Sequence, residues 1–470
     1  MNKHIFLYFI SRGVPAIVGF IALSLFSYKL TPNEYGEYTL VITMAGFINS
    51  VAFQWIRLGV LRFYSSKQYD QVKFQSTIIN LYLIVVFVVL FVSIFIYFVV
   101  GMKSALLVML ITCFQAWFEL NLDVSRAKLM PKVYGIIMLV KTLIFVMIAY
   151  IFIILDYGSS ALFIGIIVSY LISTILYYKK LWSNHFRLYY VEKDILKQLL
   201  SYGLPLTILL GLEYFVSFSD RYIISYFKGE ALAGSYAISY DFVKQIVWIP
   251  FTVINSATYP ILVKLQNEGK EKDLKIKLEE TLKVLLLINI PIMIILMFFI
   301  PVISQYFIGP QFREHTILIA PVITVATFIL GMNYYYFYLS FQLMKKTNIQ
   351  LIVAISVTVI NLGLNIIFIP IWGILGAAYA TLIAYTLGTI LSIVCTKNMF
   401  SLPLPLGIFI KILFVTIGMC ITYWGLGHTE NIWLNIGELL LGCIVYVILV
   451  IGLFPEIRKA VKINKWLSKR

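Results

Sequence analysis

The sequence predicts an all-α polytopic membrane protein of about fourteen spans, built as two six-helix lobes with two further helices appended. Three observations predict it: apolar segments of bilayer length, basic residues in every second gap between them, and motifs that recur half a chain apart. Hydrophobic residues make up 61% of the 470 residues and charged ones 12%, against about 25% charged in an ordinary soluble domain. About 20 apolar residues cross a hydrocarbon core of about 30 Å. In so apolar a chain the spans are read as helices, which satisfy their own backbone hydrogen bonds in lipid.

The apolar segments run over 5–28, 36–61, 75–100, 104–124, 134–155, 159–178, 199–219, 231–262, 284–308, 316–340, 349–370, 374–396, 407–427 and 433–454. The first is longer than the apolar stretch of a signal peptide and has no small-x-small cleavage site, so it reads as an uncleaved first helix. Segments 4 and 5 form a hairpin turning near residue 130, and 5 and 6 turn at Gly158. The basic gap 179–198 suits a linker, and segment 7 begins beyond it with a break at Pro205. The gap 264–283 alternates Lys and Glu/Asp as a solvated or interfacial amphipathic helix does. Segments 11 and 12 turn at Gly373 and Gly376.

The alternation of charge tests this count independently. The N-terminus, the even-numbered gaps and the C-terminal tail hold 27 of the 37 Lys and Arg residues, whereas the opposite gaps hold five: Lys29, Lys103, Arg221, Lys228 and Arg313. By the positive-inside rule both termini are expected in the cytoplasm. The net charge of +16 then reflects orientation and contact with anionic lipid, not nucleic acid. The four cysteines lie inside apolar segments without CxxC spacing, which argues against structural disulfides and zinc.

Ser11-Arg12-Gly13-Val14-Pro15 opens segment 1 and Ser201-Tyr202-Gly203-Leu204-Pro205 opens segment 7; both read S-x-G-x-P. Each is followed by G-x-Y near the start of the next segment, at Gly36-Glu37-Tyr38 and Gly234-Ser235-Tyr236. The hairpins at 134–178 and 349–396 also correspond. Equal orientation of segments 1 and 7 implies parallel repeats, a plan common among transporters. The expected division is an N-terminal lobe over 1–180, a linker over 181–198, a C-terminal lobe over 199–397, an appended pair over 398–455 and a basic tail over 456–470.

Several stretches resemble the polysaccharide transporter family of the multidrug/oligosaccharidyl-lipid/polysaccharide exporter superfamily. They are Leu30-Thr31-Pro32-Asn33-Glu34-Tyr35-Gly36-Glu37-Tyr38, Trp55-Ile56-Arg57-Leu58-Gly59 to Tyr64, Asp220-Arg221-Tyr222 to Tyr236, and Ile369-Pro370-Ile371-Trp372-Gly373 to Ala378. The resemblance implies the fold of multidrug exporters and lipid II flippases, with a central and often cationic cavity. It implies a flippase for undecaprenyl-diphosphate-linked repeat units of O-antigen or capsule in the bacterial inner membrane. Expected partners are the lipid-linked oligosaccharide, membrane lipids and the polysaccharide polymerase machinery.

Charges within spans mark functional or paired sites. Arg12 and Arg57 lie in one hairpin, and an arginine fork suits a diphosphate because it stays charged and binds in two places at once. Snorkelling to the interface is the alternative, above all for Arg57. Lys244 lies near mid-span, and Tyr236, Tyr240 and Lys244 form one stripe at i, i+4 and i+8; Asp241 can pair with Lys244 on the same face. Substrate contact is therefore assigned to Arg12, Arg57, Lys244 and Tyr240. Glu119 and Lys141 are equidistant from the turn of their hairpin and are read as a structural ion pair. Glu213 and Asp241 are candidates for coupling to H+ or Na+; for Glu213, pairing with a cation of segment 8 is an equal alternative. Lys411 and Glu438 are expected to snorkel from segment ends. The run Asn333-Tyr334-Tyr335-Tyr336-Phe337-Tyr338 reads as an interfacial aromatic belt, the alternative being sugar stacking.

No HExxH, GxSxG or phosphate-cradling Gly-rich loop appears, so neither catalysis nor ATP use is expected, and no cofactor. An ion-coupled multidrug exporter is the rival reading, disfavoured by the embedded cations. A membrane polymerase or glycosyltransferase comes last, because the outer gaps are short.

Overall fold

A computed structural model describes the backbone of residues 2–64, 69–100, 104–182, 187, 190–344, 346–397, 400, 402–426 and 432–455, and the side chains of these except 2–12, 100, 213, 217, 347, 406, 425, 426 and 432. The described residues are predominantly helical, with no strand among them. The helices are α1 (Asn2–Lys29), α2 (Pro32–Ala52), α3 (Gln54–Phe63), α4 (Gln71–Val100), α5 (Ala105–Ala127), α6 (Pro131–Ile154), α7 (Ser159–Ile175), α8 (Tyr178–Leu181), α9 (Lys193–Lys228), α10 (Glu230–Asn267), α11 (Glu271–Phe307), α12 (Pro310–Met332), α13 (Tyr338–Leu343), α14 (Thr347–Lys397), α15 (Leu406–Leu426) and α16 (Ile432–Leu453).

Ten of these stretches are long and apolar enough to cross a membrane, and α2 with α3 makes an eleventh across a 52° bend. Gly13–Lys29 and Ser159–Ile175 are shorter apolar helices, and α14 is divided at Gly373, whose φ of 58° and ψ of −133° are not helical. Each of the fourteen apolar segments thus coincides with a helix or half-helix, as a multi-pass membrane protein requires. Lipid-facing character is plainest on α4, where Phe87, Phe91 and Phe98 are 70%, 68% and 78% exposed.

Local sequence explains the turns. Thr31 caps α2 through a capping box: its side chain accepts from Glu34 N, and Glu34 in turn accepts from Thr31 N at 2.8 Å, with Pro32 in the first turn. Gly158, which opens α7, has φ 54° and ψ −134°. Gly373 repeats that conformation within a few degrees. Only glycine enters this region at little cost, so the two predicted hairpin turns share a backbone as well as a position.

The chain forms two compact units. The first comprises Met1–Ile238, Gly309–Phe312 and Thr358–Ala377; the second comprises Ser239–Ile308, Arg313–Val357 and Ala378–Arg470. The sequence places a linker at 181–198, but the first compact unit continues through α9, which packs on α2 and α3. The start of that linker is itself pinned: the Trp182 ring stacks on Trp117 at 5.5 Å and its Nε1 donates to Asn121 at 2.8 Å. The two G-x-Y motifs meet directly within the first unit. A Cβ on Gly36 would lie 2.1 Å from Glu230 O, and one on Gly234 would lie 2.2 Å from Pro32 O. That clearance admits glycine alone.

Candidate functional site

Each unit holds a membrane-embedded lysine against aromatic rings. In the first unit a cavity of about 330 Å³ opens among α3, α5, α6 and α7, lined by Arg57, Glu119, Arg126, Tyr134, Lys141 and Tyr170 together with apolar side chains. The α2–α3 bend turns α3 onto α5 and delivers Arg57 to two carboxylates. Arg57 forms an ion pair with Glu119, and its Nε donates to Asp123 at 2.9 Å. Arg126 pairs with Asp123 as well. Asn49 and Gln115 donate to Glu119 at 2.7 and 3.1 Å. Asp123 is 1% exposed, Arg57 13%, Glu119 21% and Arg126 33%, so the network is buried at Asp123 and half-buried around it.

This geometry corrects the predicted pairing of Glu119 with Lys141. The hairpin argument fixed depth but not the direction each side chain takes around its helix. Lys141 does reach the same cavity, yet Glu119 is held by Arg57, and Lys141 Nζ lies 5.4 Å from the Phe145 ring centroid and 5.3 Å from that of Tyr170. Arg57, read from sequence as a headgroup ligand, is committed to carboxylates.

In the second unit Lys244 sits over two rings of its own helix, 5.4 Å from the Tyr240 centroid and 5.8 Å from that of Trp248. These are cation–π distances. Among the described residues Lys244 has no ion-pair partner, so the pairing with Asp241 that their spacing allows is not formed. Tyr240 is buried, with its hydroxyl 3.5 Å from that of Tyr385. Trp248 packs edge-on against Tyr334 and Tyr335, and Tyr335 stacks on Phe251 at 5.7 Å.

Those tyrosines lie in a π-helical stretch, Asn333–Phe337, joining α12 to α13. Such bulges occur frequently at functional sites. The sequence reading of this run as an interfacial belt is corrected: Tyr336, Phe337 and Tyr338 are buried, and Tyr336 donates its hydroxyl to Pro403 O at 2.5 Å. Glu438 likewise does not snorkel, being 8% exposed. Arg12 lies on α1 and Glu213 on α9, but their side chains fall outside the described residues. Asp241 is half-buried on α10.

Sequence reasoning passed over Arg126 and Arg221, both counted only as gap cations. Glu119, Asp123 and Arg126 fall at i, i+4 and i+7 and so share a helix face, a signal that was available. Arg221 is 7% exposed and donates to Thr39 at 2.6 Å, while its neighbour Asp220 accepts from Tyr236 at 3.0 Å and from Asn365 at 2.5 Å. No spacing along the chain marks those long-range partners.

Comparison with known proteins gives a consistent result. The family described as "Polysaccharide biosynthesis protein" matches residues 29–317, more than half of the chain. The lipid II flippase MurJ of Thermosipho africanus is 29% identical over 198 residues, covering 41% of this chain and 40% of that protein. An uncharacterized membrane protein of Methanocaldococcus jannaschii is 25% identical over 199 residues, covering 41% and 38%. The chain thus spans about 40% of the length of the curated relatives it matches. A solved structure of lipid II flippase MurJ in an inward closed conformation aligns over 96% of this chain and 99% of that one, with a TM-score of 0.80 and 20% identity. An inward-facing multidrug resistance MATE family transporter of the MOP superfamily aligns over 84% and 100%, with a TM-score of 0.63 and 14% identity. At these identities the structural likeness is one of fold, and the fold is that of the MOP superfamily.

Proposed function

Because the chain belongs to the polysaccharide biosynthesis protein family, we propose that it is a flippase for oligosaccharide repeat units, of O-antigen or capsule, carried on undecaprenyl diphosphate. It works in the bacterial cytoplasmic membrane with both termini on the cytoplasmic side, and its two lobes alternate in access while the lipid tail stays in the bilayer. The lipid II flippases among its relatives support a lipid-linked substrate.

One observation carries the reading on to this chain's own residues. Among the described residues Lys244 is a mid-span cation held by ring faces and by no carboxylate. A lysine inside a membrane protein is costly unless something anionic meets it, and cation–π contact is worth only about 0.5–2 kcal/mol. The diphosphate of the carrier lipid supplies the missing anion. The same feature disfavours cationic drugs as cargo. Asp241, one turn away, is the described candidate for coupling transport to H+ or Na+.

The test is export of surface polysaccharide in cells that depend on this chain. The double variant Asp241→Asn, Lys244→Gln is expected to reach the membrane at normal level and to export nothing, and Lys244→Arg to restore part of the output. Full export by the double variant would remove Lys244 from the substrate path.

A further inference from the structure

We propose that Lys283, Lys411 and Phe454 of the second unit form a site for the phosphate of an anionic phospholipid, which ties the appended helices α15 and α16 to α11 at the cytoplasmic surface. The site does not depend on what the chain transports; its leaflet follows from the orientation proposed above.

The three residues come from three helices that pack on one another. Ile294 and Phe299 of α11 share a buried cluster with Val415, Met419 and Tyr423 of α15 and Tyr446 of α16, and the Tyr446 hydroxyl donates to Leu287 O at 2.9 Å. This packing gathers the helix ends on the side where the C-terminal tail emerges. Lys283 immediately precedes the ninth apolar segment, and Lys411 lies in the second turn of α15. Phe454 follows the last turn of α16, its N–H donating to Val450 O at 2.9 Å. Lys283 Nζ is 4.9 Å from the Phe454 ring centroid and Lys411 Nζ is 5.6 Å from it. One ring thus gathers two ammonium groups from different helices.

A ring face attracts a cation, but two like charges this close to one centroid repel each other. An anion that meets both relieves the repulsion. Phe454 is 3% exposed, so its ring is a fixed support. Lys411 is exposed and, among the described residues, pairs with no carboxylate. Glu280, three residues before Lys283, is engaged by Lys277 at 2.8 Å. A phosphodiester supplies the anion, and charge-assisted bonds to its oxygens are the strong kind.

The surface beside the two lysines selects the class of anion. Beyond Lys411, α15 presents Phe414 and Ile417, 60% and 48% exposed, and beyond Lys283, α11 presents Val284 and Ile288, both 41% exposed. A lysine pair at the edge of an open apolar strip fits an amphiphile, with phosphate at the interface and an acyl chain along the helices. A free phosphate would leave the strip unused. The tail beyond Phe454 adds Arg458, Lys459, Lys462, Lys465, Lys469 and Arg470. Such a cluster just cytoplasmic of a span draws anionic lipid, which raises the supply of headgroups beside the site.

The test is retention of phosphatidylglycerol by the purified full chain in detergent micelles, read by native mass spectrometry across a lipid titration. Phosphatidylglycerol is expected to bind, and phosphatidylcholine to bind far more weakly. Lys283→Gln with Lys411→Gln is expected to weaken phosphatidylglycerol binding roughly tenfold, whereas Lys283→Arg with Lys411→Arg should stay close to wild type. Lys272→Gln with Lys275→Gln removes the same charge from an exposed stretch of α11 and should leave binding unchanged. Should the first glutamine pair not fold, Phe454→Leu, which keeps an apolar side chain and removes the ring, is expected to weaken binding several-fold. Equal loss in the two glutamine pairs would reduce the effect to overall charge and overturn the site, as would binding that neither Lys283→Gln with Lys411→Gln nor Phe454→Leu changes. Equal retention of phosphatidylcholine would leave an apolar groove without a phosphate site and overturn it too. Polyprenyl diphosphate that displaces phosphatidylglycerol from an equimolar mixture would make the carrier lipid the ligand and overturn the phospholipid assignment.

Discussion

Two membrane-embedded cations a few residues from aromatic rings have been put to different uses in the two units. Arg57 is locked between Glu119 and Asp123, whereas Lys244 rests on Tyr240 and Trp248 with no carboxylate in contact among the described residues. Both were expected from the sequence to meet substrate. The difference follows from the side chains: a planar fork bridges two acids on one helix face, and a single ammonium cannot. A charge neutralised within the protein holds the bundle together, and one left on ring faces is available to a ligand. Lys141 shows the second pattern inside the first unit, beside the first pattern.

The comparison breaks most readily at Arg57. Arg57→Ala leaves Glu119 with only its amide donors and Asp123 with Arg126 alone, and breaking a buried pair typically costs about 3–5 kcal/mol. We expect a steep fall in membrane-inserted protein, with partial recovery when Glu119→Gln and Asp123→Asn are added, as Western blotting of membranes would show. An Arg57→Ala protein of normal abundance would make Arg57 a ligand after all.

A middle-sized effect is expected at the ring that supports Lys244. Trp248→Ala removes one cation–π face and its packing on Tyr334 and Tyr335. The lost cation–π contact alone is worth about 0.5–2 kcal/mol. Export should fall several-fold, with Trp248→Phe restoring most of it. Abundance that falls as far as export would mark Trp248 as a packing residue only.

The smallest effect is expected at Tyr240→Phe, which removes a hydroxyl from a 3.5 Å contact with Tyr385 but keeps the ring under Lys244. Near wild-type export would fit a role for the ring. Loss of export would show that the hydroxyl itself meets substrate.

The helices and their turns were legible in the sequence because bilayer length and glycine chemistry are local. All fourteen apolar segments, the turns at Gly158 and Gly373 and the two G-x-Y motifs can be read from residues near one another in the chain. The motifs meet in space because no Cβ fits between Gly36 and Gly234. Partner choice was less legible. Equal depth on a hairpin put Lys141 beside Glu119's cavity, but the bend after Ala52 brought Arg57 to the acid from another helix. The burial of Tyr336 to Tyr338 was missed for a similar reason: composition shows that an aromatic run prefers an interface, and only packing shows whether it faces one. Asp220 with Asn365 joins residues 145 positions apart, beyond the reach of any spacing argument.

The assignment of Arg57 to structure and Lys244 to transport is decided by measuring thermal unfolding and polysaccharide export on the same preparations of Arg57→Gln and Lys244→Gln. Arg57→Gln is expected to unfold at markedly lower temperature, with export falling in proportion to surviving protein. Lys244→Gln is expected to unfold as the wild type does and to export nothing. An Arg57→Gln protein of native stability that is inactive, beside a Lys244→Gln protein that is unstable yet active per molecule, would contradict it.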